Sequence, residues 1–229
     1  MQLSGATIAF DLDGTLVETA PDLIGSLNVV LGERGLPALP VESARGLVGA
    51  GARALIERGF AEAGELLTEA ETPGLLTRFL EVYRGRIASE SRPFPEVEAA
   101  LDRLAAAGAV LAVCTNKPTD LSNLLLEALG MAGRFKAVIG ADSAPQRKPH
   151  PSHLLHTIAA CGGDPARALM VGDSRADADA ARNAGIPCVL VPYGYTDTPV
   201  EALGADLVIP TFADLPAAAE KLLNGRAAA

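Results

Sequence analysis

From residue 91 onward, short apolar runs alternate with segments of helical periodicity. Residues 109–114, 137–140, 168–172, 188–191 and 207–209 are too short and too apolar for amphipathic helices and read as strands. Residues 118–129 carry leucines at 121, 124, 125 and 129, the spacing of one helix face. Residues 151–161 form a second helix, opened by Pro151, and residues 175–183 an alanine-rich third, closed by Gly185. A strand-then-helix order repeated this often predicts a parallel sheet covered by helices on both faces, because each crossover must carry the chain back along the sheet.

One more strand is expected at residues 7–10, Thr-Ile-Ala-Phe. After it the pattern changes. Residues 16–90 show helical periodicity at 19–31, 41–47, 52–60 and 75–87, and no strand is expected among them. A helical block placed after the first strand of an α/β sheet implies an inserted domain. The expected division is a core of residues 1–15 and 91–229 with a helical cap of residues 16–90, hinged near 16–19 and 89–95. The alanine-rich end, residues 225–229, is expected to fray.

Composition excludes several classes of function. The net charge is -9 with only 19 Lys and Arg, so no basic face is available for nucleic acid or an anionic membrane. No apolar run approaches the ~18 residues of a membrane span, and the N-terminus lacks a basic start followed by an apolar stretch. Cys114, Cys161 and Cys188 are an odd number without close spacing, which is neither a disulfide framework nor a zinc site. These features place the expected location in the cytoplasm. A monomer and a homodimer are equally compatible with the sequence.

Ligands of open α/β sheets bind beyond the carboxyl ends of the strands. Asp11, Leu12, Asp13, Gly14 and Thr15 follow the first strand. Thr115 and Asn116 follow the second, Gly172, Asp173 and Ser174 a later one, and Asp177 stands one helical turn further on. Lys148 lies in a loop before Pro149. Asp11, Asp13, Asp173 and Asp177 against one lysine leave three net negative charges. Each close like-charged pair costs about 4 kcal/mol at an effective dielectric of 20. A hard divalent cation such as Mg²⁺ relieves this and lets a phosphate enter. Two aspartates two residues apart also suit a two-step transfer, one as nucleophile and one as proton donor and acceptor. His150, His153 and His156 are read as partly exposed helix positions, because the carboxylates already make a hard-metal site. Lys117 either caps the site electrostatically or is solvated.

Four stretches in this order resemble the haloacid dehalogenase superfamily over almost the whole chain: Asp-Leu-Asp-Gly-Thr-Leu (11–16), Thr-Asn-Lys-Pro (115–118), Lys-Pro-His-Pro (148–151) and Gly-Asp-Ser-Arg-Ala-Asp (172–177). The resemblance implies a three-layer Rossmann-like core with an inserted α-helical cap. It implies Asp11 as nucleophile, Asp13 as general acid and base, and Thr115, Asn116 and Lys148 as holders of the phosphoryl group. Mg²⁺ would be bound by the side chains of Asp11 and Asp173 and the carbonyl of Asp13, with Asp177 in the metal's neighbourhood. Asp13 sets the chain apart from the dehalogenating branch, whose leaving group needs no proton. Lysines occur only at 117, 136, 148 and 221, so the cap has none for an imine-forming route.

Within the superfamily, Thr-Asn-Lys-Pro, Ala-Gly-Ile-Pro (184–187) and Tyr-Gly-Tyr (193–195) resemble bacterial phosphoglycolate phosphatases. That resemblance implies 2-phosphoglycolate as substrate, with the cap residues Gly49, Ala50 and Gly51 approaching it and Arg45 or Arg53 pairing with its carboxylate. A plain glycine turn with solvated arginines is the alternative reading there. Another small phosphate ester, pyrophosphate or a sugar-phosphate mutase remains open as the activity.

Overall fold

The computed structural model describes residues 3–49, 51–196 and 198–225. Six parallel strands form the main sheet: β1 (Thr7–Phe10), β4 (Val110–Cys114), β5 (Ala137–Ile139), β6 (Ala168–Gly172), β7 (Cys188–Leu190) and β8 (Leu207–Val208). Their order across the sheet is β5-β4-β1-β6-β7-β8. The chain therefore leaves β1 toward one edge through β4 and β5, then returns to build the other half from β6. The reversal falls at β1, and an open sheet forms its ligand crevice at such a point.

Side chains alternate between the two faces, as the pleat requires. Ile8, Phe10, Leu111, Val113, Leu169 and Val171 enter one core cluster, while Ala9, Cys114, Ala168 and Met170 enter the other. The first face is covered by α5 (Val97–Ala106), α6 (Thr119–Ala128) and α9 (Leu215–Gly225) through Leu101, Leu104, Leu125, Leu215 and Leu223. The second is covered by α7 (Pro151–Ala160) and α8 (Arg175–Ala184) through Leu154, Ile158, Ala178 and Ala181. The small side chains on this second face let α8 lie close to the strands. The result is the three-layer α/β arrangement expected from the alternating pattern.

Between β1 and β4 the chain forms α1 (Ala20–Glu33), α2 (Val41–Ala44) continued by a 3₁₀ turn (Arg45–Leu47), α3 (Ala52–Glu62) and α4 (Thr72–Gly85). Ile24, Leu27 and Leu31 of α1 bury their side chains in one continuous cluster with Leu55, Ile56 and Phe60 of α3 and Phe79 and Tyr83 of α4. Two differences from the sequence reading concern the ends of this block. Val17–Glu18 (β2) pairs antiparallel with Arg92–Pro93 (β3), so a short strand does occur within residues 16–90. Two residues are too few to show a period of two, and the pairing partner lies 74 positions away (Glu18 to Arg92) in a segment with no strand signal of its own. The segment before β4 also contains α5, whose buried Val97, Ala100, Leu101 and Leu104 follow helical spacing. The end expected to fray, residues 225–229, begins at the last residue of α9, and residues 226–229 lie outside the described residues. No helix among the described residues is long and apolar enough to cross a membrane.

Three aromatic rings fasten the first face. Phe10 stacks on Phe212 at a centroid distance of 6.2 Å and meets Phe135 edge-on at 6.4 Å. Phe212 is fully buried. Phe212→Ala is expected to lower unfolding stability by about 3–5 kcal/mol, read from urea denaturation at constant m-value.

Candidate active site

The loop leaving β1 is wound tightly: the N–H groups of Leu16 and Val17 both donate to Leu12 O at 3.0 Å, and Gly14 N–H donates to Val17 O at 3.0 Å. Gly14 has φ +82°, and a Cβ there would stand 2.6 Å from Asp173 Oδ2, so only glycine fits. The turn presents Asp11 and Asp13 beyond the strand end, next to the ends of β4 and β6. Asp11 Oδ1 accepts from Leu12 N–H at 2.7 Å.

Lys148 is buried among oxygen atoms. Its ammonium donates to Cys114 O at 2.6 Å and Asp177 Oδ1 at 2.7 Å, and pairs with Asp11 Oδ1 at 3.1 Å. Burial works to lower its pKa, but the Asp11 and Asp177 carboxylates outweigh that and hold it above the ordinary value. The second oxygen of Asp177 accepts from Ser174 N–H at 3.0 Å and Ser174 Oγ at 2.6 Å, which makes it part of the N-terminal box of α8. Gly172 lets this happen, because a Cβ on it would lie 2.3 Å from Asp177 Cγ. Asp173 accepts from Thr15 Oγ1 through one oxygen and from Tyr195 N–H through the other, both at 2.7 Å.

Two side chains fix the main chain that carries Lys148. Asn116 Nδ2 donates to Lys148 O at 3.0 Å, and Lys148 N–H donates to His153 Nδ1 at 3.2 Å. His153 Nε2 then donates to Ile139 O at 3.1 Å. Burial, then the charge of Lys148, push the His153 pKa down to about 4. His153 is thus a fully buried neutral strut, not the partly exposed position expected from sequence. Its helix faces the sheet at that turn, which a spacing of three along the chain does not reveal.

Lys117 is neither solvated nor distant. Its ammonium donates to both oxygens of Asp13, at 3.0 and 3.1 Å, and to Tyr83 Oη of α4 at 2.7 Å. Burial opposes its charge, but Asp13 and then Tyr83 raise its pKa above the ordinary value. A cavity of about 60 Å³ opens beside it. Asp11, Asp13, Thr115, Asn116 and Lys117 line its polar side, and Leu23, Val48, Leu55, Phe79, Leu80 and Tyr83 of the helical segment line its apolar side.

The remaining residues singled out from sequence fall in different places. Gly49 and Gly51 line the cavity, while Ala50 lies outside the described residues. Arg45 is half-buried and paired with Glu18 at 2.6 Å, its guanidinium 5.5 Å from the centre of the Tyr195 ring. Arg53 is exposed and paired with Glu57 at 2.7 Å along its own helix, away from the cavity wall. Lys148 also stays out of that wall and touches Asp11 from the protein interior. Tyr83 carries no signal in the sequence. Lys117 is read there as an electrostatic cap or a solvated residue, and the structure agrees with the first; Tyr195 enters only within the Tyr-Gly-Tyr stretch, and the partners of His153 and Tyr195 are not foreseen.

The donor set fits a hard divalent cation. One oxygen from each of Asp11, Asp173 and Asp177 can be chosen so that all lie within 4.8 Å of one another. Burial, then repulsion by Asp177 and Asp11, raise the pKa of Asp173 to about 8. Burial raises that of Asp11 to about 6, with Lys148 holding it down and Asp177 and Asp13 adding to the rise. Two carboxylates pushed up in this way want a proton or a cation. Counting Lys117 with Lys148, four carboxylates face two ammonium groups, and a divalent ion balances them.

The family model for haloacid dehalogenase-like hydrolases matches residues 6–185. The chain belongs to that family. It is 58% identical over 222 residues to a phosphoglycolate phosphatase of Caulobacter vibrioides, covering 97% of this chain and 94% of that one. A phosphoglycolate phosphatase of Agrobacterium fabrum is 48% identical over 96% of this chain and 95% of its own. A crystal structure described as a predicted phosphoglycolate phosphatase from Haemophilus somnus superposes with a TM-score of 0.86 at 34% identity, covering 95% and 99% of the two chains. The family assignment agrees with a sheet whose first strand is followed by two aspartates, the first of them joined through Lys148 to Asp177 at the start of α8.

An acid whose pKa is raised by folding destabilises the fold as it ionises, so its contribution is lost as pH rises through the folded value. For Asp173 that window runs from 3.8 to about 8. His153 acts in the opposite direction, but only below its ordinary 6.5. The metal-free protein is therefore expected to melt at a lower temperature at pH 8 than at pH 6.5, and Asp173→Asn to flatten that difference. Thermal unfolding in the presence of a chelator checks this; an equal drop in both proteins would exclude Asp173 as its source.

Proposed function

We propose that the protein is a phosphomonoester hydrolase that transfers a phosphoryl group to Asp11 and then to water, with 2-phosphoglycolate as substrate. The arrangement that carries this reading is the pairing of Asp11 with buried Lys148 beside a cavity that Asp11 and a second aspartate, Asp13, both line. Asp11 attacks phosphorus, the ester oxygen leaves, and an aspartyl-phosphate forms. Asp13 gives its proton to the leaving oxygen and takes one from the water that attacks the intermediate. Lys148 keeps the nucleophile ionised and offsets the charge gathering on the transferring oxygens. Thr115 contributes its hydroxyl from the end of β4. Asn116 steadies the Lys148 loop while its amide borders the phosphoryl position.

Magnesium, held by the carboxylates of Asp11 and Asp173 and the main-chain carbonyl of Asp13, would act as a Lewis acid on the phosphoryl oxygens. Asp177 anchors Lys148 and the start of α8 and stands in the metal's neighbourhood.

Three supports favour phosphoglycolate over larger esters. The cavity is small, about 60 Å³. Lys117 lines it as a cation placed to meet a carboxylate at the far end of a short substrate. The relatives at 58% and 48% identity bear the name of that activity. Arg45 and Arg53, the arginines that the sequence offers for that carboxylate, pair with Glu18 and Glu57 and stay out of the cavity wall, whereas Lys117, though paired with Asp13, lines it. Residues 16–90 are read as a cap whose closure excludes water during the first transfer and admits it for the second. The free thiols of Cys114, Cys161 and Cys188 accord with a cytoplasmic location.

Phosphate release from 2-phosphoglycolate is expected to require Mg²⁺ and to stop with chelator. Asp11→Asn should lower kcat by roughly 10⁴-fold or more with an unchanged circular dichroism spectrum; full turnover would sink the nucleophile assignment. Lys117→Met should erase the preference for phosphoglycolate over ethyl phosphate, which lacks the carboxylate. A preference kept intact would place the carboxylate elsewhere.

A further inference from the structure

The chemistry above leaves Tyr195 without a role, although it joins three parts of the molecule. Its main-chain N–H donates to Asp173 Oδ2 at 2.7 Å. Its phenol oxygen accepts from the N–H groups of Thr19 at 2.7 Å and Ala20 at 2.9 Å. The phenol thereby caps the start of α1, where the Thr19 hydroxyl makes no hydrogen bond of its own. The Tyr195 O–H donates to Glu18. Glu18 in turn pairs with Arg45 at 2.6 Å, and Arg45 lies over the Tyr195 ring. The ring also packs on the Asp11–Thr15 loop, since a Cβ on Gly14 would stand 2.8 Å from Tyr195 Cδ2.

The anchorage of residue 195 comes mainly from this side chain. Among the described residues, the backbone of residues 192–196 makes no main-chain to main-chain hydrogen bond after Val191 N–H meets Gly172 O at 2.9 Å. Its neighbours are held by side chains as well: Tyr193 O–H donates to Thr15 O at 3.3 Å and its ring lies 4.5 Å from that of Phe94, and Thr196 Oγ1 donates to Thr198 O at 2.9 Å. An N–H that orients a buried carboxylate is only as well placed as the residue that carries it. Here that placement depends on hydrogen bonds to Glu18, Thr19 and Ala20, the segment entering the first helix of the inserted block.

We propose that Tyr195 is a positioning residue that ties the docking of the helical segment to the orientation of the Asp173 carboxylate, and so sets the affinity of the site for a divalent cation. The inference rests on Asp173 being a cation ligand, as given under Proposed function. Groups that orient a ligand carboxylate typically alter metal affinity by about 10–100-fold when removed. The path runs through the Tyr195 hydroxyl, Glu18 and Arg45, so disturbing any of the three acts on the same quantity.

The test is Mn²⁺ binding to the full chain, followed by the electron paramagnetic resonance signal of free Mn²⁺, beside thermal unfolding of each protein. Tyr195→Phe keeps the ring and the main-chain N–H and removes only the hydroxyl. Wild type is expected to bind Mn²⁺, and folded Tyr195→Phe to bind it about 10-fold more weakly. Glu18→Gln should weaken binding in the same direction and serves alone if Tyr195→Phe does not fold. Arg45→Ala added to Tyr195→Phe should cost less than about 2-fold more, because both act on one path. Wild-type affinity in the folded Tyr195→Phe and Glu18→Gln proteins, with or without a lower melting temperature, overturns the proposal. No Mn²⁺ binding by wild type would instead remove the cation reading of Asp173, and the proposal with it.

Discussion

Everything near the site is organised around one costly act: burying Asp11, Asp173 and Asp177 together at the end of a sheet. A buried carboxylate loses its hydration, and a neighbouring one adds repulsion. Lys148 partly answers both by pairing with Asp11 and Asp177 at once. The lysine is itself buried, so its loop must be held. Asn116 and a neutral His153 hold it, one at the carbonyl and one at the amide of Lys148. What remains without a cationic partner is Asp173, whose pKa is raised by burial and by Asp177 and Asp11.

The sheet order makes this assembly possible. β1 lies between β4 and β6, so Asp11, Thr115 and Asp173 each stand one residue past a strand end at the same edge of the sheet. The loops there run in opposite directions away from β1 and leave a crevice. The helical segment roofs that crevice with Leu55, Phe79 and Tyr83, while Tyr83 reaches Lys117 and Arg45 lies over the Tyr195 ring. Apolar packing thus supplies the enclosure, and two charged contacts register the roof against the floor.

Much of the fold was legible because period and punctuation survive in the primary structure. The five strands after residue 91 and helices α6, α7 and α8 stand where the apolar runs and Pro151 and Gly185 mark them. The β2–β3 pair was not legible, since two residues show no period and long-range pairing leaves no local trace. The acids of the floor were legible as a set, because Asp11, Asp13 and Asp173 fall just after strands and Asp177 one helical turn on. The partners of Lys117, His153 and Tyr195 were not. Apart from the five-residue step from His153 to Lys148, these contacts span from 14 positions (His153 to Ile139) to 177 (Tyr195 to Glu18).

Local periodicity and residue type were enough for the α/β order, the insertion after the first strand and the acidic character of the site. Which cation faces which acid was left to the packing of the folded chain. That packing gave Lys148 to Asp11 and Asp177, gave Lys117 to Asp13 and Tyr83, and turned Arg45 toward Glu18 and Arg53 outward. The physical reason is that ion pairing depends on distance and burial. Both are set when elements remote in the chain pack together.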